Sequence, residues 1–100
     1  MKNHSNLRVG SLAGHPPAWT PAASDVAWTQ RTVGGIKDGG VWGLPSARMA
    51  YRINHTERKL ELVEGAATDL HERVTKCCAL MTPPYVVVIA PERRQNLATN

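Results

Sequence analysis

The sequence predicts an α+β domain, with one four-stranded mixed sheet and two helices in the order arm–α–β–β–β–α–β. Residues 70–81 repeat apolar side chains at helical spacing, residues 49–63 alternate apolar and polar side chains, and residues 85–90 form an unbroken apolar run. The chain has 100 residues, of which 42% are hydrophobic and 20% charged. This is the size and composition of one globular domain.

The ends of the chain are predicted to lie outside the folded body. Residues 1–23 are predicted to form an N-terminal arm, because three prolines between residues 16 and 21 prevent a helix and weaken a strand. A single domain is predicted over residues 24–92, followed by a polar tail over residues 93–100.

The first predicted helix begins at the capping pair Ser24-Asp25 and presents Trp28, Thr32, Val33 and Ile36 on one face. The glycines of the segment 38–40 end it.

Three strands are predicted next. Val41 to Leu44 is a short strand that ends at Pro45. A hairpin follows over residues 49–63, with Tyr51 on its apolar inner side.

The second predicted helix begins after the cap Thr68 and ends before Pro83-Pro84. Its acids and bases four residues apart predict ion pairs along the helix. Its apolar stripe comprises Leu70, Val74, Cys77, Cys78 and Met81. The run Tyr85–Ala90 is continuously apolar and predicts an interior strand covered on both faces.

The charge and the cysteines bear on the partners and the compartment. Twelve Lys and Arg residues against eight Asp and Glu residues give a net charge of +4, which favours acidic partners. We expect a cytoplasmic protein without a signal peptide or a membrane span, because no apolar segment is long enough for either. The neighbours Cys77 and Cys78 are expected to be reduced core thiols.

The sequence carries no recognisable catalytic, cofactor or metal site, and we expect a protein that is not an enzyme. A Cys78–His71 pair on one helix face is the one nucleophile–base arrangement, but a cysteine within an apolar stripe more often packs in a core. A zinc site needs about four converging ligands. Cys77 and Cys78 diverge on a helix, and the remaining histidines are scattered in loops, so we expect no metal and no cofactor.

The segment Asp38-Gly39-Gly40-Val41-Trp42-Gly43-Leu44-Pro45-Ser46 is rich in glycine but does not match a phosphate-binding loop. Between a helix and a strand it predicts a tight turn. Residues 26–63 around it resemble small uncharacterised proteins of bacteria and their mobile elements. In size, basic charge and lack of catalytic residues the chain is also similar to phage-encoded anti-CRISPR proteins. That resemblance implies an inhibitor of a bacterial defence complex, acting in the host cytoplasm.

The candidate partner-binding residues are basic side chains of the hairpin together with two tryptophans. We expect Arg48 and Arg52 on the outer side of the hairpin and Arg58 and Lys59 at its tip, with Trp19 or Trp42 as an aromatic anchor. Trp19 either holds the arm to the domain or contacts a partner. The set is Trp19, Trp42, Arg48, Arg52, Arg58 and Lys59.

The leading hypothesis is a non-catalytic module that binds a protein complex with an acidic surface. The alternative is a small basic nucleic-acid-binding protein, whose affinity would fall steeply with salt. The basic face carries no interleaved aromatic residues, so a solvated face without a partner is an equal alternative. A cysteine enzyme that uses Cys78 and His71 is the weakest alternative. An uncovered sheet face would also permit a homodimer.

Overall fold

The computed structural model describes residues 19–94, which form one four-stranded mixed sheet packed against two α-helices. The predicted α+β class and the order from the first helix to the last strand are confirmed. Among these residues, no helix is both long and apolar enough to cross a bilayer. Residues 1–18 of the predicted arm and 95–100 of the predicted tail lie outside the described residues. In chain order the elements are α1 (Ala23–Gly34), β1 (Val41–Leu44), a 3-10 helix (Pro45–Ala47), β2 (Met49–Asn54), β3 (Lys59–Glu64), α2 (Asp69–Ala79) and β4 (Val86–Ile89).

The sheet has the strand order β1-β2-β3-β4, so β1 and β4 are its edges. The pairs β1–β2 and β2–β3 are antiparallel, while β4 runs parallel to β3. The prediction that β4 is an interior strand is therefore wrong. Val86 is 62% exposed, and only Val87 and Ile89 pack against the core. An apolar run predicts two buried faces, but here the apolar side chains on one face of β4 point away from the helices.

The core lies between one face of the sheet and both helices. Alternate residues of the strands point towards the helices, as the period of two requires. The apolar stripe of α2 is confirmed, since Val74, Cys77 and Cys78 are fully buried. The buried apolar cluster comprises Val33, Trp42, Met49, Tyr51, Ile53, Leu60, Leu62, Val74, Cys77, Cys78 and Met81.

Helix α1 begins one residue before the predicted cap. Ala22 is the N-cap, and the buried carboxylate of Asp25 accepts the Ala22 N–H at 3.0 Å from the third helical position. Asp25 and Thr29 lie on the buried side together with Val33, and the Thr29 hydroxyl donates to the Asp25 carbonyl at 2.8 Å. The buried side of α1 thus carries Asp25 and Thr29 in addition to Val33 of the predicted face, and these polar groups bond within the helix.

Gly65 permits the tight connection from β3 to α2. Its φ of +106° is strained for other residues, and a Cβ placed there would lie 2.7 Å from Met49 Cγ and 2.9 Å from the Arg48 carbonyl oxygen. Gly65 is therefore required both for backbone conformation and for the close approach of the start of β2.

His55 connects the turn between β2 and β3 to neighbouring segments through hydrogen bonds. Its Nε2 donates to the Ile36 carbonyl at 2.6 Å, and its Nδ1 lies 2.7 Å from the Tyr85 hydroxyl. Its backbone N–H donates to the Asp38 carboxylate at 2.7 Å. The histidine expected to be one of several scattered in loops thus joins the end of α1 to the start of β4.

Candidate functional site

The face of the sheet opposite the helices is the candidate functional surface, and we call it the outer face. Both α-helices of the described part of the chain pack on the inner side. The side chains of the outer face alternate along each strand with those of the core and align in rows across the strands. The outer face comprises Val41, Gly43, Ala50, Arg52, Asn54, Lys59, Glu61, Glu64, Val86 and Val88.

Arg52 lies at the centre of the outer face and is held by two carboxylates. It is paired in register with Glu61, and its Nε donates to Glu61 Oε1 at 2.6 Å. Its Nη1 donates to Glu92 Oε2 at 3.2 Å from the helical turn 91–94 that follows β4. The hydrogen bond to Glu92 and then that to Glu61 raise the pKa of Arg52, and the bond from Arg52 lowers the pKa of Glu92.

Lys59 extends this network along β3. Its Nζ lies 2.9 Å from Glu57 Oε1 and 3.6 Å from Glu61 Oε2, and the hydrogen bond to Glu57 raises the pKa of Lys59. Glu61 is only 8% exposed, because the cations on either side cover it. Three carboxylates surround two cations, so the network carries a net charge of −1. On the outer face itself, Arg52 and Lys59 are balanced by Glu61 and Glu64, so the prediction of a basic outer face is wrong.

Arg48 and Arg58 lie at opposite ends of β2. Arg48 ends the 3-10 helix with a φ of 54°, and Arg58 lies in the β2–β3 turn with a φ of 53°. A six-residue strand separates them, and such a strand spans about 20 Å. Both are exposed, but the four predicted cations do not form one basic patch.

Trp42 lies in the core rather than at a surface. It is 5% exposed and packs between Trp28 and Tyr51, with ring centroids 5.9 Å and 5.7 Å away. Its ring cannot reach a partner without opening the core, so the structure does not place it with the candidate binding residues.

Trp19 fastens the chain before α1 to helix α2. Arg73 Cζ lies 5.7 Å from the centroid of its ring, and Lys76 Nζ donates to its carbonyl at 3.0 Å. These two cations were expected to pair with acids of α2, but they contact Trp19 instead. Of the two roles left open for Trp19, the structure shows the intramolecular one.

The Cys78–His71 pair does not have the environment of a nucleophile and its base. Cys78 is fully buried, and burial raises the pKa of its thiol to about 12. His71 stacks on Tyr51 and shares a 2.9 Å hydrogen bond with its hydroxyl, while burial lowers the pKa of His71. A buried thiol with a raised pKa beside an imidazole with a lowered pKa is typical of a structural core.

Sequence reasoning missed Glu61 and Glu92 as the partners of the candidate cations. The hairpin register contained a signal, since a turn at residues 55–58 places Arg52 opposite Glu61. Nothing in the sequence indicated that Glu92 would contact Arg52, because the position of Glu92 depends on how the chain turns after β4. Among residues 19–94, no group of three or more His, Cys, Asp or Glu side chains could hold a metal ion.

Comparison of the chain with protein-family models, with curated proteins and with solved structures found no match.

Proposed function

We propose that this protein is a non-catalytic module that binds another protein through the outer face of its sheet. The proposal rests on one observation: exposed valines lie on that face beside an ion-pair network whose cations already contact carboxylates. Val41 is 56% exposed on β1 and Val86 62% exposed on β4, on either side of the Arg52–Glu61 pair. Apolar side chains beside satisfied polar groups are typical of surfaces that bury themselves against another protein.

The same network argues against nucleic acid as the partner of this face. A phosphate backbone binds cations that can exchange small counterions for phosphates. Arg52 and Lys59 already contact carboxylates, and a phosphate would have to displace them or approach Glu61 and Glu92. The outer face of the described strands also carries no aromatic ring on which a base could stack.

The surplus carboxylate also changes the chemistry expected of the partner. The sequence favoured an acidic partner surface, whereas a network with a net charge of −1 favours a surface of mixed polarity with apolar groups opposite the valines. The more specific function, inhibition of a bacterial defence complex by a phage-encoded protein, is a proposal supported by size, overall basic charge and the lack of a recognisable catalytic set in the sequence.

Two matched substitutions test the outer face. Val41→Lys places a charge on this face, and Leu80→Lys makes the same change at the end of α2, where the side chain is also 56% exposed. After a protein partner is captured from a bacterial lysate and purified, Val41→Lys should weaken its binding about tenfold or more and Leu80→Lys should leave it unchanged. Equal binding by both variants would contradict the outer face as the contact.

Nucleic-acid binding is tested separately by gel shift with DNA and RNA at two salt concentrations. We expect no specific complex. A complex that weakens steeply with salt and is lost in Arg52→Gln would replace protein binding as the function of this face.

A further inference from the structure

Strand β4 has one edge along which backbone N–H and C=O groups point away from the sheet. Its parallel pairing with β3 uses the amides of even-numbered residues, since the N–H of Val86 donates to Arg58 at 3.0 Å and that of Ala90 to Leu62 at 3.0 Å. Alternation along the strand directs the N–H and C=O groups of Val87 and Ile89 away from β3. Within residues 19–94, no strand pairs with this edge.

The two edges of the sheet differ in how well they could accept another strand. In β1, Gly43 weakens the strand and Pro45 ends it. Residues 86–89 of β4 are Val-Val-Val-Ile, without glycine, proline, charge or bulge. Natural sheets commonly protect their edges with such features, and an unprotected apolar edge is suited to pairing with another strand.

We propose that β4 pairs with β4 of a second copy of this chain, antiparallel about a two-fold axis at Val88. In this register, Val87 of each copy exchanges both backbone hydrogen bonds with Ile89 of the other. Every edge-facing amide of residues 86–89 is then satisfied, and the two sheets join into one eight-stranded sheet. Val88 meets its own counterpart across the axis, as an isologous interface requires.

The charges beside the ends of β4 do not decide the orientation. Arg58 lies beside Val86 at the start of the strand, while Glu92, Arg93 and Arg94 follow its end, and Glu92 already contacts Arg52. The orientation is therefore tested through the amides rather than through salt.

The joined edges are short, which sets the strength of the dimer. Two four-residue strands bury less surface than a stable interface, which covers about 1,200–2,000 Å² in total. The dimer is therefore weak and depends on protein concentration.

Amide hydrogen exchange on the unmodified protein tests the register directly. The protein concentration is raised until sedimentation shows that about nine in ten chains are dimeric. Under this condition, hydrogen exchange at the amides of Val87 and Ile89 should slow about tenfold. The amides of Val41 and Gly43 face the free edge of β1 and serve as controls that should stay fast. A protein that sediments as a monomer at every concentration would overturn the proposal, as would a dimer in which Val87 and Ile89 stay fast.

A pair of lysine variants gives an independent test. Val88→Lys places two like charges opposite each other at the axis and should weaken the dimer about tenfold. Val41→Lys makes the same change on the other edge strand and should leave self-association unchanged. Equal dimerisation of the two variants would overturn the proposed edge. Self-association is measured without another protein, so its failure leaves the proposed function standing.

Discussion

The two faces of the sheet are built from alternate residues of the same strands, yet different interactions fix the side chains of each face. On the inner face, Tyr51, Leu60 and Leu62 are fully buried against the helices. On the outer face, Arg52 and Lys59 are held by carboxylates at partly exposed positions. Burial of apolar side chains dominates folding free energy, whereas partly exposed ion pairs contribute about 0–1 kcal/mol. Stability therefore resides on the inner face, and the outer face can vary to suit a partner.

The largest expected effect comes from an inner-face truncation. Leu60→Ala should lower the free energy of unfolding by about 2–5 kcal/mol, because Leu60 is fully buried and its removal leaves a cavity. Lys59→Ala, at the adjacent outer position, should lower it far less, because a solvent-screened ion pair contributes little. Urea denaturation measures both, and similar losses would show that the two faces do not differ as described.

An intermediate effect is expected for Glu61, the buried acid of the outer face. Glu61→Gln should lower the free energy of unfolding by about 1 kcal/mol, because it removes the carboxylate shared by Arg52 and Lys59. Glu57→Gln, which changes only the exposed end of the network, is the control and should have a smaller effect. A larger loss in Glu57→Gln would contradict the central position of Glu61.

A pH-dependent effect is expected from His71 at the rim of the core. Burial lowers the pKa of His71 in the folded protein below its ordinary value of 6.5, so the unfolded chain binds the proton more readily. Stability should therefore fall as the pH drops below about 6.5, until His71 is also protonated in the folded protein. In His71→Gln, thermal unfolding should show a shallower fall over this range. An unchanged slope would show that His71 is not responsible.

The smallest effect is expected for thiol chemistry, since the inner face excludes reagent. With its pKa raised to about 12, buried Cys78 should react with a thiol reagent only on the timescale of unfolding. Denaturant should make both cysteines react rapidly and serves as the control. Fast labelling of Cys78 in the folded protein would reopen the cysteine-enzyme hypothesis.

Periodicity was sufficient to predict most of the fold. The alternation around Tyr51 and the stripe through Val74 and Cys77 determine which side chains are buried, because a strand and a helix each present one apolar side to the core. The edge position of β4 could not be read from its composition. The apolar side chains on one face of β4 pack against the core, whereas Val86 on the other face is exposed.

The candidate site was harder to predict because charge along a sequence does not reveal pairing in space. Arg52 was correctly placed on the outer side of the hairpin and Lys59 was expected at its tip, but their neutralisation depends on Glu61 across the strand pair and on Glu92 beyond β4. Trp42 was misplaced because a tryptophan in a glycine-rich turn fits either a surface or a core. The net charge of the chain therefore did not predict the charge of its exposed sheet face.

Site-specific photo-crosslinking tests the central claim, that the outer face is the protein-binding surface, most directly. A photoreactive residue is placed at Val41 on the outer face or at Leu80 on the helical side, two positions of equal exposure. With the purified partner, the account predicts a covalent protein adduct from Val41 and none from Leu80. An adduct from Leu80 alone, or from neither position while binding is intact, would contradict it.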